Sequence, residues 1–186
     1  MTLPNLYLVG APKAGTTTVA SWLGQHPEIY WPAPKEPYYW AADYPRMREH
    51  YGFEDRATYE RLYSPEAASA ARYRGDGSTT YLYSESAIPE ICRAVPDARF
   101  LVCVRDPVDL VISYHRTQVV ALNESEPDFG RAWQRHRDGG LPDTDPLDEK
   151  LLDYATVGGV GARDGAHAAR GATRAGACDR VRRPRP

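Results

Sequence analysis

Cysteine is scarce in this 186-residue chain: Cys92, Cys103 and Cys178 make an odd set without the paired short spacings of a metal site or a disulfide framework. The N-terminus lacks the basic-then-apolar layout of a secretory signal, and no apolar run approaches the roughly 20 residues that cross a bilayer. These absences lead us to expect a reduced, cytoplasmic setting with no membrane span. Charge of one sign is lacking too. Lys and Arg number 23 against 25 Asp and Glu, a net charge of −2, so no basic surface dominates and a nucleic-acid partner is not expected. No acidic cluster stands out that would hold a metal ion. What is present, 42% hydrophobic and 26% charged residues, suits one globular domain with a real core, although the length is short for a sheet wrapped on both faces.

The most informative stretch runs from Leu6 to Thr18. Leu6-Tyr7-Leu8-Val9 reads as a strand covered on both faces, Gly10 and Pro12 stop it, and Thr16 to Leu23 restart with helical periodicity. A turn of this kind leaves backbone N–H groups unpaired at a helix N-terminus, where the dipole adds roughly half a positive charge, so an anionic oxygen is the natural partner. Gly10 and Gly15 have the spacing of the GxxxxGK[ST] nucleotide loop, but Thr16 follows Gly15 and the lysine lies inside the loop at Lys13. On its own the stretch is also compatible with an ordinary strand-turn-helix carrying a solvated lysine.

A second strand-turn-helix spans Arg99 to His115, with Arg105 near the strand end and Ser113 eight residues later. Together with Pro12-Lys13-Ala14-Gly15-Thr16-Thr17, it resembles the sulfotransferases that use 3′-phosphoadenosine 5′-phosphosulfate. The resemblance covers roughly residues 4 to 157. It implies that Pro12, Lys13, Ala14, Gly15, Thr16 and Thr17 hold the 5′-phosphosulfate, that Arg105 and Ser113 hold the 3′-phosphate, and that no metal is required.

Between these motifs, Ile29-Tyr30-Trp31 reads as a short strand leading into the proline- and aromatic-rich segment Pro32 to Trp40. Read from the residues alone, Lys35 and Glu36 are either a surface pair beside packed aromatics or side chains held rigidly for chemistry. Carbohydrate sulfotransferases resembling the heparan sulfate enzymes carry a Lys-Glu pair at about this distance from the first loop. That likeness implies Glu36 as general base and Lys35 as a contact to the sulfonate, with Lys13 completing the catalytic set. The same family has a Ser-X-X-Tyr segment lining its active site, which Ser78 to Tyr81 matches, making Ser78 and Tyr81 candidate substrate contacts. A turn whose hydroxyls satisfy backbone groups is the other reading of that segment.

The remaining chain alternates helical and extended patterns: a helix start at Ser64-Pro65-Glu66, an amphipathic helix over Ile88–Val95, a strand over Arg99–Val104, and a helix over Val108–Leu122. Phe129–Arg137 and Leu147–Tyr154 read as two polar helices on the outside. His26, before Pro27, reads as a turn residue, His115 as a surface or packing residue, and Cys103 as a buried inert thiol. This rhythm predicts an α/β domain with a mostly parallel sheet flanked by helices. The resemblance makes it a P-loop-like three-layer domain over residues 1–157.

From Gly158 the composition changes. The last 29 residues hold seven Arg, seven Ala and six Gly, with no Leu, Ile or aromatic, and such a stretch buries no core and reads as disordered. Because the family continues with a helix, a strand and a nucleotide-covering loop, we expect this chain to be truncated or frame-shifted after residue 157. The parent nucleotide sequence tests that: another frame past codon 157 should encode an amphipathic helix and an apolar strand. The expected activity is transfer of a sulfonate from the phosphosulfate donor to a hydroxyl or amine, with a carbohydrate or other small molecule as candidate acceptor. Two alternatives remain at this point: an inactive nucleotide-binding remnant, and a small-molecule kinase, which lacks a lysine after Gly15 and has only Asp106 as a magnesium partner.

Overall fold

A computed structural model describes residues 3–159. Its sheet has four strands, all parallel, in the order β2-β3-β1-β4. They are β1 (Leu6–Gly10), β2 (Ile29–Tyr30), β3 (Tyr73–Asp76) and β4 (Arg99–Val102). Every residue of β1 is buried, as a central strand covered on both faces requires. In chain order the helices are α1 (Thr16–Leu23), α2 (Pro45–Tyr51), α3 (Arg56–Arg61), α4 (Glu66–Ala70), α5 (Ala87–Ala94), α6 (Pro107–Val120), α7 (Phe129–Arg137) and α8 (Tyr154–Gly158). Strands alternating with helices around a parallel sheet make this the α/β fold expected from the pattern.

Local chemistry sets several of these boundaries. Asp106 caps α6 by accepting from the Val108 and Asp109 N–H groups at 3.0 and 3.2 Å, with Pro107 in the first turn where its missing N–H costs nothing. Asp128 caps α7 through the Arg131 N–H at 2.9 Å. Helix α1 differs, since it starts from Gly15 with no side-chain cap.

Two apolar clusters hold the elements together. One joins Tyr7 and Val9 of β1 to Trp40, Tyr59, Tyr63 and Ile91; the other joins Leu110, Val111 and Tyr114 of α6 to Ala132, Leu152 and Tyr154. The second cluster corrects the expectation that both polar helical segments lie outside. Leu147–Tyr154 is a 3-10 turn, Glu149–Leu152, followed by α8; Leu152, Tyr154 and Val157 are buried against α6 and α7, and Leu151 is buried in the first cluster. The acidic residues between them masked an apolar face only a few residues wide. His115 is a packing residue: it is buried, its Nε2 lies 2.8 Å from the Glu126 carbonyl, and Phe129 and Tyr154 meet its ring edge-on. His26 serves the turn, its Nδ1 accepting from the Glu28 N–H at 3.2 Å.

The second strand is shorter and less covered than its sequence suggests. Among the described residues β4 is an edge strand in which Leu101 and Val102 stay more than a third exposed, and Cys103 lies beyond its end, only partly buried. Burial nonetheless pushes the Cys103 thiol up from its ordinary pKa. Of the expected tail 158–186, all but Gly158 and Gly159 lies outside the described residues.

Candidate active site

The loop between β1 and α1 is tied to the end of β4. The Ala11 N–H donates to the Cys103 carbonyl at 2.8 Å, and the Cys103 N–H donates to the Gly10 carbonyl at 2.7 Å. Gly15 has φ +83°, a left-handed conformation that favours glycine, and nothing lies within 4 Å of where a Cβ would stand. Lys13 adopts the same region at φ 65°. Because α1 starts uncapped, its first-turn N–H groups have no partner inside the helix. Pro12, Lys13, Gly15, Thr16 and Thr17 all line one cavity of about 580 Å³. This is a donor set suited to a phosphate or sulfate oxygen: N–H groups at a helix start, two hydroxyls and an ammonium. Ala14 does not reach the cavity and packs toward the second apolar cluster.

The second motif meets the first directly. Arg105 donates from Nη1 to the Lys13 carbonyl at 3.2 Å, and its other end lies 3.6 Å from Asp109. Arg105 and Ser113 line the same cavity as the loop. The arginine precedes the capping Asp106, and Ser113 stands two turns into α6, so one helix start places both.

Lys35 and Glu36 reach the loop at Thr16. Lys35 Nζ donates to Thr16 Oγ1 at 3.2 Å and to Glu36 Oε1 at 2.6 Å, so one ammonium bridges the β1–α1 connection and the carboxylate. Its stem lies along the turn after β3, where a Cβ on Gly77 would stand 2.9 Å from Lys35 Cγ, and the Gly77 N–H holds the Lys35 carbonyl at 3.0 Å. The other oxygen of Glu36 accepts from the Tyr38 hydroxyl at 2.7 Å and the Thr79 hydroxyl at 3.0 Å. Glu36 lines the cavity; Lys35 stands behind it, partly buried.

Ser78 and Tyr81 are not on the cavity wall, which corrects their assignment as substrate contacts. Both are fully buried, and their hydroxyls donate to the two oxygens of Asp76, at 2.7 and 3.0 Å. Thr79, Thr80 and Tyr83 of the same segment line the cavity in their place. Asp76, at the end of β3, accepts also from the Ser78 N–H and from the Tyr59 hydroxyl. Burial pushes its carboxyl up to about 6 despite these donors, all of which are neutral.

This buried group supports the site through one chain of bonds. Ser78 Oγ accepts from the Tyr38 N–H at 2.9 Å, and Tyr38 holds a left-handed φ of 58° while its hydroxyl reaches Glu36. Burial and the adjacent Glu36 carboxylate hold the Tyr38 phenol far above its ordinary pKa, so at neutral pH it is a donor. Asp76 and Tyr38 were not singled out in the sequence. The usable signal was an acidic residue ending a strand among hydroxyls, two residues before Ser78.

Among the described residues no group of three His, Cys, Asp or Glu side chains is placed to hold a metal ion, and no helix is long and apolar enough to cross a membrane.

No protein-family model matches the chain. The chain is 27% identical to human carbohydrate sulfotransferase 15 over 164 residues, 68% of this chain and 29% of that protein. It is 28% identical over 129 residues to the membrane-associated sulfotransferase kil1 of Dictyostelium discoideum, covering 67% of this chain and 26% of that one. The chain thus spans under a third of the length of these curated relatives. Among solved structures, a sulfotransferase from Alicyclobacillus acidocaldarius superposes with a TM-score of 0.71 at 27% identity, over 88% of this chain and 67% of that one.

Proposed function

We propose that this chain, a sulfotransferase-family protein by sequence and fold, transfers a sulfonate from 3′-phosphoadenosine 5′-phosphosulfate to an acceptor hydroxyl or amine. The observation that carries the reading is the convergence of three separate sequence motifs, the loop around Lys13, the Arg105–Ser113 pair and Glu36, on one cavity wall. When bound, the donor supplies a sulfonate carried on a phosphate oxygen. Arg105 and Ser113 would hold its 3′-phosphate, the arginine through a charge-assisted fork and the serine through one hydrogen bond. The α1 N–H groups and Lys13 would stabilise charge growing on the departing 5′-phosphate oxygen, the interaction expected to matter most for rate.

Glu36 would take the acceptor's proton as the new bond to sulfur forms and the old sulfur–oxygen bond breaks, a role worth about 10²–10⁴ in rate. Lys35 holds Glu36 to the loop through Thr16, and Tyr38 and Thr79 hold its other oxygen, so the base is fixed relative to the phosphate site. The names of the curated relatives and the Lys35-Glu36 pair make a carbohydrate one candidate acceptor.

Release of 3′,5′-adenosine bisphosphate from the donor, assayed with a panel of hydroxyl acceptors, tests the reading. Glu36→Gln should lose at least a hundredfold in turnover while still binding the bisphosphate. Bisphosphate binding without any turnover would make the chain a noncatalytic nucleotide-binding protein. Binding and use of ATP in its place would make it a kinase.

A further inference from the structure

The cavity has two chemically different ends. Its phosphate end holds Lys13, Arg105 and the α1 N–H groups. From Ser113 the wall continues along one stripe of α6, through Thr117 to Ala121, which the helical rise places about 12 Å further on. Tyrosines line the rest of it. Tyr38, Tyr44, Tyr51 and Tyr83 come from other segments, with Met47 among them, and Tyr114 comes from α6 itself. Tyr38 and Tyr51 stand beside the base as a pair, their ring centroids 4.7 Å apart, and Tyr51 remains 44% exposed.

Charge at this second end is spent within the protein. Among the described residues lining the cavity the basic ones are Lys13, Arg105 and Lys150, and only Lys150 lies outside the two phosphate motifs. Lys150 donates to Asp43 at 2.9 Å and stands over the Tyr44 ring. Burial works to raise the Asp43 carboxyl, but Ser84, Lys150 and the Glu85 N–H outweigh it and hold it below the usual range, so the pair is a closed ion pair at neutral pH. Nearby Arg46 is held bidentately by Asp145 at 2.7 Å on each arm. Asp148 adds a further carboxyl beside α2, accepting from the Met47 N–H. Among the described residues that line this end, a sulfated or uronate-bearing chain would meet carboxylates and a committed cation rather than an unpaired basic row.

On the reading of this site as a sulfonate-transfer centre, we propose that the acceptor is an uncharged hydroxyl compound presenting a flat apolar face, which lies against Tyr38 and Tyr51 with its hydroxyl toward Glu36, rather than a polyanionic sugar chain. Aryl alcohols and neutral sugar rings both have this chemistry, since each offers a face of C–H or π surface next to a hydroxyl.

Calorimetric titration separates the sources. Protein is first loaded with 3′,5′-adenosine bisphosphate, then titrated with 2-naphthol, with cellotetraose and with chondroitin sulfate, each at 50 and 300 mM NaCl. At least one neutral probe should bind more tightly than chondroitin sulfate, with an affinity unchanged by salt and weakened about tenfold by Tyr51→Ala. Tighter 2-naphthol binding assigns the aryl source, and tighter cellotetraose binding the sugar source. Preferential, steeply salt-dependent binding of chondroitin sulfate overturns the proposal, and so does failure of both neutral probes to bind the loaded protein. Failure of the bisphosphate to bind in the first step refutes the sulfonate-transfer reading itself, and is seen before any acceptor is added.

Discussion

Asp76 offers a test of the scaffold beneath Glu36 that needs no catalytic assay. Its carboxyl is fully buried, receives four hydrogen bonds from neutral donors, and is pushed by burial from 3.8 to about 6. Between those values the folded protein holds a proton that the unfolded chain has released, so stability from this group falls as pH rises. The displacement, from 3.8 to about 6, corresponds to about 3 kcal/mol, present in full below pH 4 and lost by pH 7. Asp76→Asn removes the titration while keeping an acceptor oxygen. Urea unfolding of both proteins from pH 3.5 to 7.5 gives the difference in unfolding free energy, wild type minus variant, free of the other titrating groups. That difference should fall by about 3 kcal/mol across the range, most steeply between pH 4 and 6. A flat difference would show that neutral donors match the desolvation cost. A difference that rises with pH would show that the hydrogen bonds outweigh it, and would refute the reasoning.

Further predictions concern other contacts. Tyr38→Phe removes the 2.7 Å bond to Glu36 but keeps the backbone bond to Ser78, so kcat should fall on the order of 10- to 100-fold with the KM for the donor unchanged. Equal effects on kcat and donor KM would point to a disturbed nucleotide site. Arg135→Ala leaves the buried Glu124 carboxylate with only the Tyr154 hydroxyl and the Glu126 N–H, at a cost of about 3 kcal/mol or more in urea unfolding, and Arg135→Lys should recover part of it. A loss below about 1 kcal/mol would mean water reaches Glu124.

The elements that position the site were legible because their chemistry is local. Four apolar residues before Gly10 mark a central strand, Asp106-Pro107 marks the start of α6, and Asp128 marks that of α7, so the ranges expected for α1, α6 and α7 lie within two residues of those found. What was not legible depends on which face another element covers. Arg99–Val104 has the composition of a buried strand but forms an exposed edge among the described residues, and Leu147–Tyr154 has a polar composition but buries its few apolar side chains. The Ser78–Tyr81 spacing points to a segment next to the cavity, yet the 3-10 turn Thr79–Leu82 directs those two hydroxyls down to Asp76 and lifts Thr79 and Thr80 toward Glu36 and the cavity. A turn reverses which neighbours point inward, and spacing along the chain does not record it. The left-handed backbone of Tyr38 was unreadable for a related reason, since the hydroxyl that its N–H meets belongs to Ser78, 40 residues away.

The central claim is that the loop around Lys13 and the Arg105–Ser113 pair form one site for a nucleotide phosphorylated at both 3′ and 5′ positions. The most direct measurement is the thermal midpoint of the purified chain with and without millimolar 3′,5′-adenosine bisphosphate. At a hundredfold excess over Kd a ligand that binds only the folded state adds about 2.7 kcal/mol, a rise of roughly 5–10 °C for a domain of this size. We predict that rise for the wild type and its loss in both Lys13→Ala and Arg105→Ala, with the ligand-free midpoints unchanged. A cooperative transition that the bisphosphate does not move, or a shift that persists in both variants, would contradict the account.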